Sequence, residues 1–464
     1  MPARSLQDVI DAQPDFARYL YDRAGAPHAS RRPEASPVPV EVTNWFEEQQ
    51  AWRTSAVLFD QSHHMPELFL EGPDALRLLT RIGVNSFAGF GPGSAKQLVG
   101  CTDRGLMIGD CILHDLGGKR YELISGMPLH NWVHYHAETG GYDVRVTRDL
   151  DTPSNPGGKR TNFRFQMDGP TAGAIFAEAV DGDAPAIKFF HTARVRIAGC
   201  EVLVLRHGMA GHQGVELSGA YVDGPTVRAR LLEVGARHGL KPGGSKAYFS
   251  SVVESGWIAY PLPAIYTDPA LADYRLWLPD SAWEAQMQLG GSFFSTNLEE
   301  YYVNPMEMGY ERIVRFDHDF IGRAALERMA AQPQRRKVTL AWNRDDVARI
   351  FASMFAGGLP FKYLELPTAN YGFPHTDKVL DADGRQVGIA RGASYTANER
   401  HMLSLAIVDR DFAEAGTELT LIWGEPDGGS AKPKVPPHRQ MAIRVTVGPV
   451  PYASTAQRMK RAGI

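Results

Sequence analysis

The apolar positions of this chain recur with two periods, and the changes of period divide it into elements. Residues 6–23 carry apolar positions at helical spacing and predict an amphipathic helix. ASRRPEASPVPVE follows, and its prolines and charges predict an extended arm. From Asn44, NWFEEQQAWRTSAVLFD places Trp45, Gln49, Trp52 and Ala56 at helical spacing. PELFLEG then alternates like a strand, and PDALRLLTRIGV reads as a helix with proline in its first turn. Strands are expected at about 96–101, 107–113 and 120–125, then a helix near Pro128 and a strand through YDVRVTRD. A similar order of elements returns in NFRFQMD, GPTAGAIFAEA, CEVLVLRHG, QGVELSG and PTVRARLLEVGARHG, which predicts two mixed α+β lobes with antiparallel sheets. AAQPQRRKV reads as a linker. Beyond it KVTLAW, RQVGIARGASY, MLSLAIVD, ELTLIWGE and QMAIRVTV, separated by turn signals such as DADG and EPDGG, predict an all-β C-terminal domain. The expected division is residues 1–43 for the helix and arm, 44–330 for the two lobes and 335–464 for the β domain.

Composition narrows the class. The 464 residues are 44% hydrophobic and 22% charged, enough for a large core without disulfides or metals. A net charge of −4 gives no basic excess for nucleic acid or an anionic membrane. Three scattered cysteines, Cys101, Cys111 and Cys200, argue for a reducing compartment. The first residues lack the apolar core of a signal peptide, and no apolar run is long enough to span a bilayer. A soluble cytoplasmic protein is the expectation.

The candidate chemistry begins with HGMAGHQGVEL (207–217), where Gly208, Gly211 and Gly214 fall three apart ahead of Glu216. A phosphate loop is excluded: GxxxxGK[ST] and GxGxxG are absent, and this segment joins two strands rather than opening a helix. A tight β-connection, with glycines supplying positive φ, is the plainer reading. The pairs His63-His64 and His134/His136 and the run FDHDF lack a third metal ligand at diagnostic spacing. If 134 and 136 lay on a strand, their rings would share a side. GGSKAYFS and GGSFFS do not fit a serine nucleophile's elbow. In GGSKAYFSSVVESGW, Tyr248, Glu254 and Trp257 supply a phenol, a carboxylate and an indole; on a helix Glu254 and Trp257 would share a face. They suit either a core or a pocket with a stacking wall and a phenolic donor.

Five segments in order resemble the folate-dependent aminomethyltransferases, the T-proteins of glycine cleavage. They are AVLFDQSHHMPELFLEGPDALRLLTRIGVNSF, TDRGLMIGDCIL, HGMAGHQGVEL with its G-x-x-G-x-x-G-x-E pattern, FDHDFIGRAAL, and VGIARGASYTANERHMLSLAIV through GTELTLIWGE. DQSHHM, RFQMDGP, SKAYFSSVVESGW, LPAIYT, GGSFFSTNLEEYYVNP and VPPHRQMAIRVTVGPVPY further resemble the tetrahydrofolate-dependent aryl O-demethylases, which act on lignin-derived vanillate and syringate. The likeness covers about residues 44–450. It implies an α+β T-protein-like fold: two ferredoxin-like lobes in a folate-binding catalytic region (44–330) and a C-terminal antiparallel β-barrel (335–464). It also implies methyl transfer from a methoxylated aromatic acid to nitrogen-5 of tetrahydrofolate, without corrinoid, metal or redox cofactor.

The same resemblance assigns roles. Glu216 would accept both N–H donors of the pterin's amidine-like edge, a bidentate match. Gln61, Gln97 and Gln166 stand where the demethylases place folate-contacting glutamines. Trp257 would stack on the folate and border the substrate. His64 would touch the substrate's ring hydroxyl or methoxy group, and Tyr248 would be the catalytic tyrosine. Breaking an aryl ether leaves a phenolate, and a phenol titrating near pH 10 is a matched acid for it. Two departures shape the expectation. T-proteins carry an Arg-Asp pair where this chain reads SKAY, which favours demethylation over aminomethyl transfer. The vanillate enzymes use an arginine just before the helix at Pro128, where this chain has Gly126, and their N-terminal tyrosine has no match in an arm that carries Arg31 and Arg32. A roomier, syringate-like pocket is therefore expected, with vanillate and 3-O-methylgallate as alternatives and the carboxylate anchor unassigned. The rivals are an aminomethyltransferase, a sulfonium demethylase, or a non-enzymatic folate-binding protein of iron–sulfur assembly, whose K-G-C-Y-x-G-Q-E motif is absent.

Overall fold

A computed structural model of the protein describes residues 4–23, 37–155, 158–209, 214–369 and 374–457. Near the N-terminus lie two helices, α1 (Leu6–Asp11) and α2 (Phe16–Asp22), rather than the single helix expected over 6–23. Pro14 stands between them, and Asp15 caps the second by accepting from the Arg18 N–H at 2.9 Å. Most of the arm, including Arg31 and Arg32, lies outside the described residues, as does Gly211. Helix α3 (Trp45–Thr54) stops earlier than its spacing suggests, and AVLFD is instead strand β1 (Ala56–Asp60). This five-residue stretch is the kind of short apolar run that spacing alone does not separate from a helix.

The next strands are β2 (Glu67–Glu71), β3 (Ala95–Cys101), β4 (Met107–Gly117), β5 (Arg120–Ile124) and β6 (Arg145–Asp149). Helix α4 (Ala75–Ile82) follows β2 and α5 (Met127–Thr139) follows β5. The five strands form an antiparallel sheet in the order β3-β4-β5-β2-β6. His134 and His136 lie on α5, not on a strand, and two residues apart on a helix they do not share a face. His134 accepts from Arg148 Nε at 3.0 Å, and the His136 ring meets Trp132 edge-on at 4.3 Å.

The second sheet is built from β1, β7 (Asn162–Asp168), β8 (Thr192–Ile197), β9 (Cys200–Arg206), β10 (Gly214–Ala220) and β11 (Leu240–Gly243), in the order β11-β1-β7-β10-β9-β8. Helices α6 (Ala172–Ala179) and α7 (Gly224–Gly235) cover it, with Ile175, Phe176, Val227 and Leu231 in its core. Strand β1 thus belongs to the sheet of the later residues, parallel to β11 and antiparallel to β7. Its burial on both faces accounts for its unbroken apolar sequence. Helix α8 (Ser245–Ser255) leaves directly from β11.

The C-terminal part closes into a six-stranded antiparallel barrel, β12 (Arg336–Trp342), β13 (Thr376–Leu380), β14 (Gln386–Thr396), β15 (His401–Val408), β16 (Glu418–Trp423) and β17 (Met441–Gly448), in the order β12-β15-β14-β13-β16-β17. Five of these strands are expected from sequence. β13 is not, because TDKVL is short and half polar; it pairs with β14 across the DADG turn and closes the barrel against β16. Trp342 and Trp423 fill the interior, and a helix, Arg344–Ser353, packs on the barrel where only strands were expected.

Candidate active site

A cavity of about 520 Å³ opens between the two sheets and the barrel, lined among others by His64, Gly126, Tyr248, Trp257 and Arg391. That volume suits a small organic ligand. Tyr248 lies in the first turn of α8, where a helix has N–H groups without helical partners. Here the end of the arm supplies them: the Pro39 carbonyl accepts from Ser245 N–H and the Val40 carbonyl from Lys246 N–H, each at 3.1 Å. Glu48 of α3 accepts from the amides of Val42, Thr43 and Gly244, each at 2.8 Å. A Cβ at Gly244 would stand 2.4 Å from the Val40 carbonyl oxygen, so the glycine permits the arm's close approach.

The Tyr248 oxygen accepts a hydrogen bond from Gln61 Nε2 at 3.1 Å, which fixes the phenol without using its proton. The His64 ring packs edge-on against the phenol with centroids 4.7 Å apart. Burial pushes the Tyr248 hydroxyl well above the usual phenol range, and the nearby Glu216 and Asp168 add to the effect. It therefore stays a proton donor.

Behind Tyr248 lies one face of the second sheet. Glu216 and Gln166 are register partners on β10 and β7, and Phe59 of β1 faces Gln166 from the other side. Arg164, two residues from Gln166, shares this face. Its guanidinium reaches Glu216 at 2.5 Å and Glu67 and Glu122 at 2.8 Å each, so one buried cation holds three carboxylates. Gln166 Nε2 donates to Asp168 Oδ1 at 2.9 Å and to the His207 carbonyl at 3.2 Å. Asp168 Oδ1 also accepts from the Met209 N–H at 3.1 Å. A Cβ at Gly214 would stand 2.1 Å from that same oxygen, which is what glycine does in this part of the loop. Among the described residues, three buried oxygens on these side chains have no donor: Gln61 Oε1, Gln166 Oε1 and Asp168 Oδ2. Buried acceptors left this way are costly, and a ligand edge rich in N–H groups would satisfy them. A pterin has such an edge, so the residues present fit the folate.

Gln97 does not join this group. It lies on β3 of the first sheet, and its amide donates to Asp110 of β4. Asp110 Oδ2 accepts in addition from Trp257 Nε1 at 3.0 Å and from the Tyr310 hydroxyl at 2.9 Å. Burial raises the Asp110 carboxyl above its usual range. Trp257 follows Gly256, whose φ of 74° ends α8 in the left-handed conformation. The helix stops two residues before the indole, so Glu254 and Trp257 do not share a helical face. Glu254 instead faces away from the cavity and accepts from Trp52 Nε1 at 3.0 Å and Asn398 Nδ2 at 3.2 Å, with Arg53 3.3 Å away. Asp110, Arg164 and Asp168 were not singled out from the sequence. Asp110 sits inside the TDRGLMIGDCIL run that carries the family likeness, whereas Arg164 and Asp168 look like ordinary alternation on a strand.

Gly126 has a φ of 70°, and a Cβ there would lie 2.1 Å from the Asp110 carbonyl oxygen. The backbone at this edge of the cavity leaves no room for a side chain. Among the described residues no group of three His, Cys, Asp or Glu is placed to hold a metal ion. Nor is any helix long and apolar enough to cross a membrane.

The GCVT N-terminal domain family matches residues 33–263. Syringate O-demethylase of Sphingobium sp. (strain NBRC 103272 / SYK-6) is 43% identical over 455 residues, 98% of this chain and 97% of that protein. Sesamin methylene transferase of Sinomonas sp. (strain No.22) is 33% identical over 396 residues, 82% of each chain. Among solved structures, the glycine cleavage system aminomethyltransferase T from Bartonella henselae superposes with a TM-score of 0.60 over 89% of this chain and 90% of that one, at 17% identity. That likeness is one of fold, and it matches the two lobes and barrel described above.

Proposed function

The chain belongs to the GCVT family and is an enzyme of it, and from that premise we propose that it transfers the methyl group of a methoxylated aromatic acid, syringate-like, to nitrogen-5 of tetrahydrofolate. The products would be the demethylated phenol and 5-methyltetrahydrofolate. One observation carries the reading: the phenol of Tyr248, held at its oxygen by Gln61, stands beside a sheet face whose buried acceptors lack donors. The 43% identity to a syringate O-demethylase over nearly the whole chain supports the substrate class. The three cysteines are free, two of them buried, which accords with a cytoplasmic site of action.

Bound tetrahydrofolate would supply the nucleophilic nitrogen. Gln61, Gln166, Asp168 and Glu216 would receive the pterin's N–H donors and hold the ring in one orientation. Asp110, with Gln97 and Tyr310 beside it, fixes the Trp257 indole as a wall of the cavity. Holding methyl and nitrogen in line removes entropy before the chemistry. Tyr248 would then give its proton to the aryl oxygen as the carbon–oxygen bond breaks, and would recover one from the proton that methyl transfer to the nitrogen sets free. His64, edge-on to that phenol, would orient the substrate ring.

Purified protein, tetrahydrofolate and a panel of syringate, vanillate and 3-O-methylgallate test the reading through 5-methyltetrahydrofolate formation. Syringate-like substrates should be turned over best; no product with any member of the panel would sink the proposal. Tyr248→Phe should lose about 10²–10⁴-fold in kcat, the range for a general acid, while keeping its folate affinity. Unchanged turnover in that variant would remove Tyr248 from the mechanism.

A further inference from the structure

The cavity has a cationic wall on the barrel side. Arg391 of β14 is 4% exposed and lines it. Its neighbours on the adjacent strands are Thr376 and Leu405, and the register with β15 slips immediately after it, at Gly392 (φ 61°). Such a bulge re-aims the side chain beside it. Among the described residues the Arg391 guanidinium makes one hydrogen bond, from Nη2 to the Tyr301 carbonyl oxygen at 2.6 Å. Nε and Nη1 are buried and have no acceptor among the described residues. Among the described residues no carboxylate pairs with it: Glu307, an acidic side chain in its vicinity, is taken by Arg335 at 2.7 and 3.0 Å. Among the described residues the other Lys or Arg lining the cavity, Lys246, lies 3.3 Å from Glu41. Burial depresses the Arg391 guanidinium to about 10, so it remains charged at neutral pH.

A buried guanidinium with two donors unmet and no counter-charge is a costly arrangement for a protein alone. Nη2 shares a parallel edge with Nε on one side and with Nη1 on the other; since Tyr301 takes one of its two N–H bonds, one edge still presents the fork that a carboxylate fills with both oxygens. We propose that Arg391 is the carboxylate anchor of this cavity. The inference deepens the proposed function and rests on it for the ligands' identity. Two ligands of that reaction carry the group: the aromatic acid and the glutamate tail of the folate. The first sheet offers no rival anchor at position 126, where the backbone excludes any side chain.

The test is calorimetric binding to wild type, Arg391→Gln and Arg391→Lys. The probes are syringate against its aldehyde, and tetrahydrofolate against tetrahydropteroate, which lacks the glutamate. Arg391→Gln should weaken one carboxylate ligand about 10–100-fold, to the level of its neutral counterpart, and leave the neutral counterpart unchanged. Arg391→Lys should recover part of the loss. Whichever pair responds identifies the source of the carboxylate. Equal affinities of wild type and Arg391→Gln for both carboxylate ligands would overturn the proposal. So would equal losses for charged and neutral ligands, which would mark a merely structural arginine. The outcome is separable from the reaction assay: selective carboxylate loss without methyl transfer would retain the anchor and discard the proposed function.

Discussion

At the scale of single residues, the site works by placing groups where burial changes their chemistry. Tyr248 has a hydroxyl raised by burial, so its acid form persists as pH rises; kcat should not fall between about pH 7 and 10 through loss of this proton. A basic limb within that window that Tyr248→Phe abolishes would contradict this. Glu216 shares Arg164 with Glu67 and Glu122, so a neutral substitute relieves crowded negative charge while removing the carboxylate proposed to receive the pterin. Glu216→Gln should weaken tetrahydrofolate about 10–100-fold with little change in melting temperature, measured by titration and calorimetry. Undiminished folate affinity would move the pterin elsewhere. Of the residues expected from sequence, Gln61, Gln166, Glu216, His64 and Tyr248 converge. Gln97 is joined to Trp257 through Asp110. Its strand lies in the other sheet, and sequence order holds no information on which sheet a glutamine faces.

At the scale of elements, helix α8 is the part on which the site depends, and its start is held by a carboxylate of α3, 196 residues before Gly244. Glu48 ties the arm's Val42 and Thr43 to Gly244, so Glu48→Ala should free three amides at once. Hydrogen exchange should quicken at those amides by at least about tenfold, and kcat should drop because Tyr248 sits one turn on. Protection that survives the substitution would show that the arm is held by other contacts. Most elements were legible from their periods. Those that were not share a cause: β1 is an apolar run continuous with a helix, β13 is short and half polar, and the helix break at Pro14 lies inside one amphipathic pattern. In each, tertiary pairing decided what local pattern left open. Helix α5 carries a related case. Glu284 packs beneath it and accepts both contacts from Asn131 Nδ2, at 3.0 and 2.7 Å, and burial raises its carboxyl to about 7. The folded protein therefore holds this proton above the pH where the unfolded chain, near 4.5, releases it. Its stabilising contribution is full below about pH 4.5 and is lost as pH rises through about 7. Urea midpoints should show a decline of roughly 3 kcal/mol from this group between pH 4.5 and 7, absent in Glu284→Gln. Parallel pH profiles for the two proteins would count against it.

At the scale of the whole molecule, barrel and sheets are joined through buried polar contacts. Glu254 links α3, α8 and the barrel through Trp52, Arg53 and Asn398, and Lys432 of the C-terminal part donates to the Tyr21 carbonyl at 2.6 Å beneath the N-terminal helices. Glu254→Ala leaves the Trp52 indole N–H without its acceptor and Arg53 with Glu399 alone, and chemical denaturation should show a loss of about 1–3 kcal/mol. A neutral result would mean that packing alone holds the barrel in place. The overall plan was legible because the likeness runs across nearly the whole chain, whereas Arg391 was hidden inside an ordinary barrel strand. The placement of β1 has a consequence during synthesis. Val57 lies beside Lys241, about 180 residues further along, so the strand emerges from the ribosome long before its parallel neighbour exists. At roughly 5–20 residues per second, that apolar edge waits some ten seconds or more. A nascent chain halted between β7 and residue 240 should therefore present a strand with one open apolar edge to chaperones, and one long enough for β11 to have left the ribosome should not.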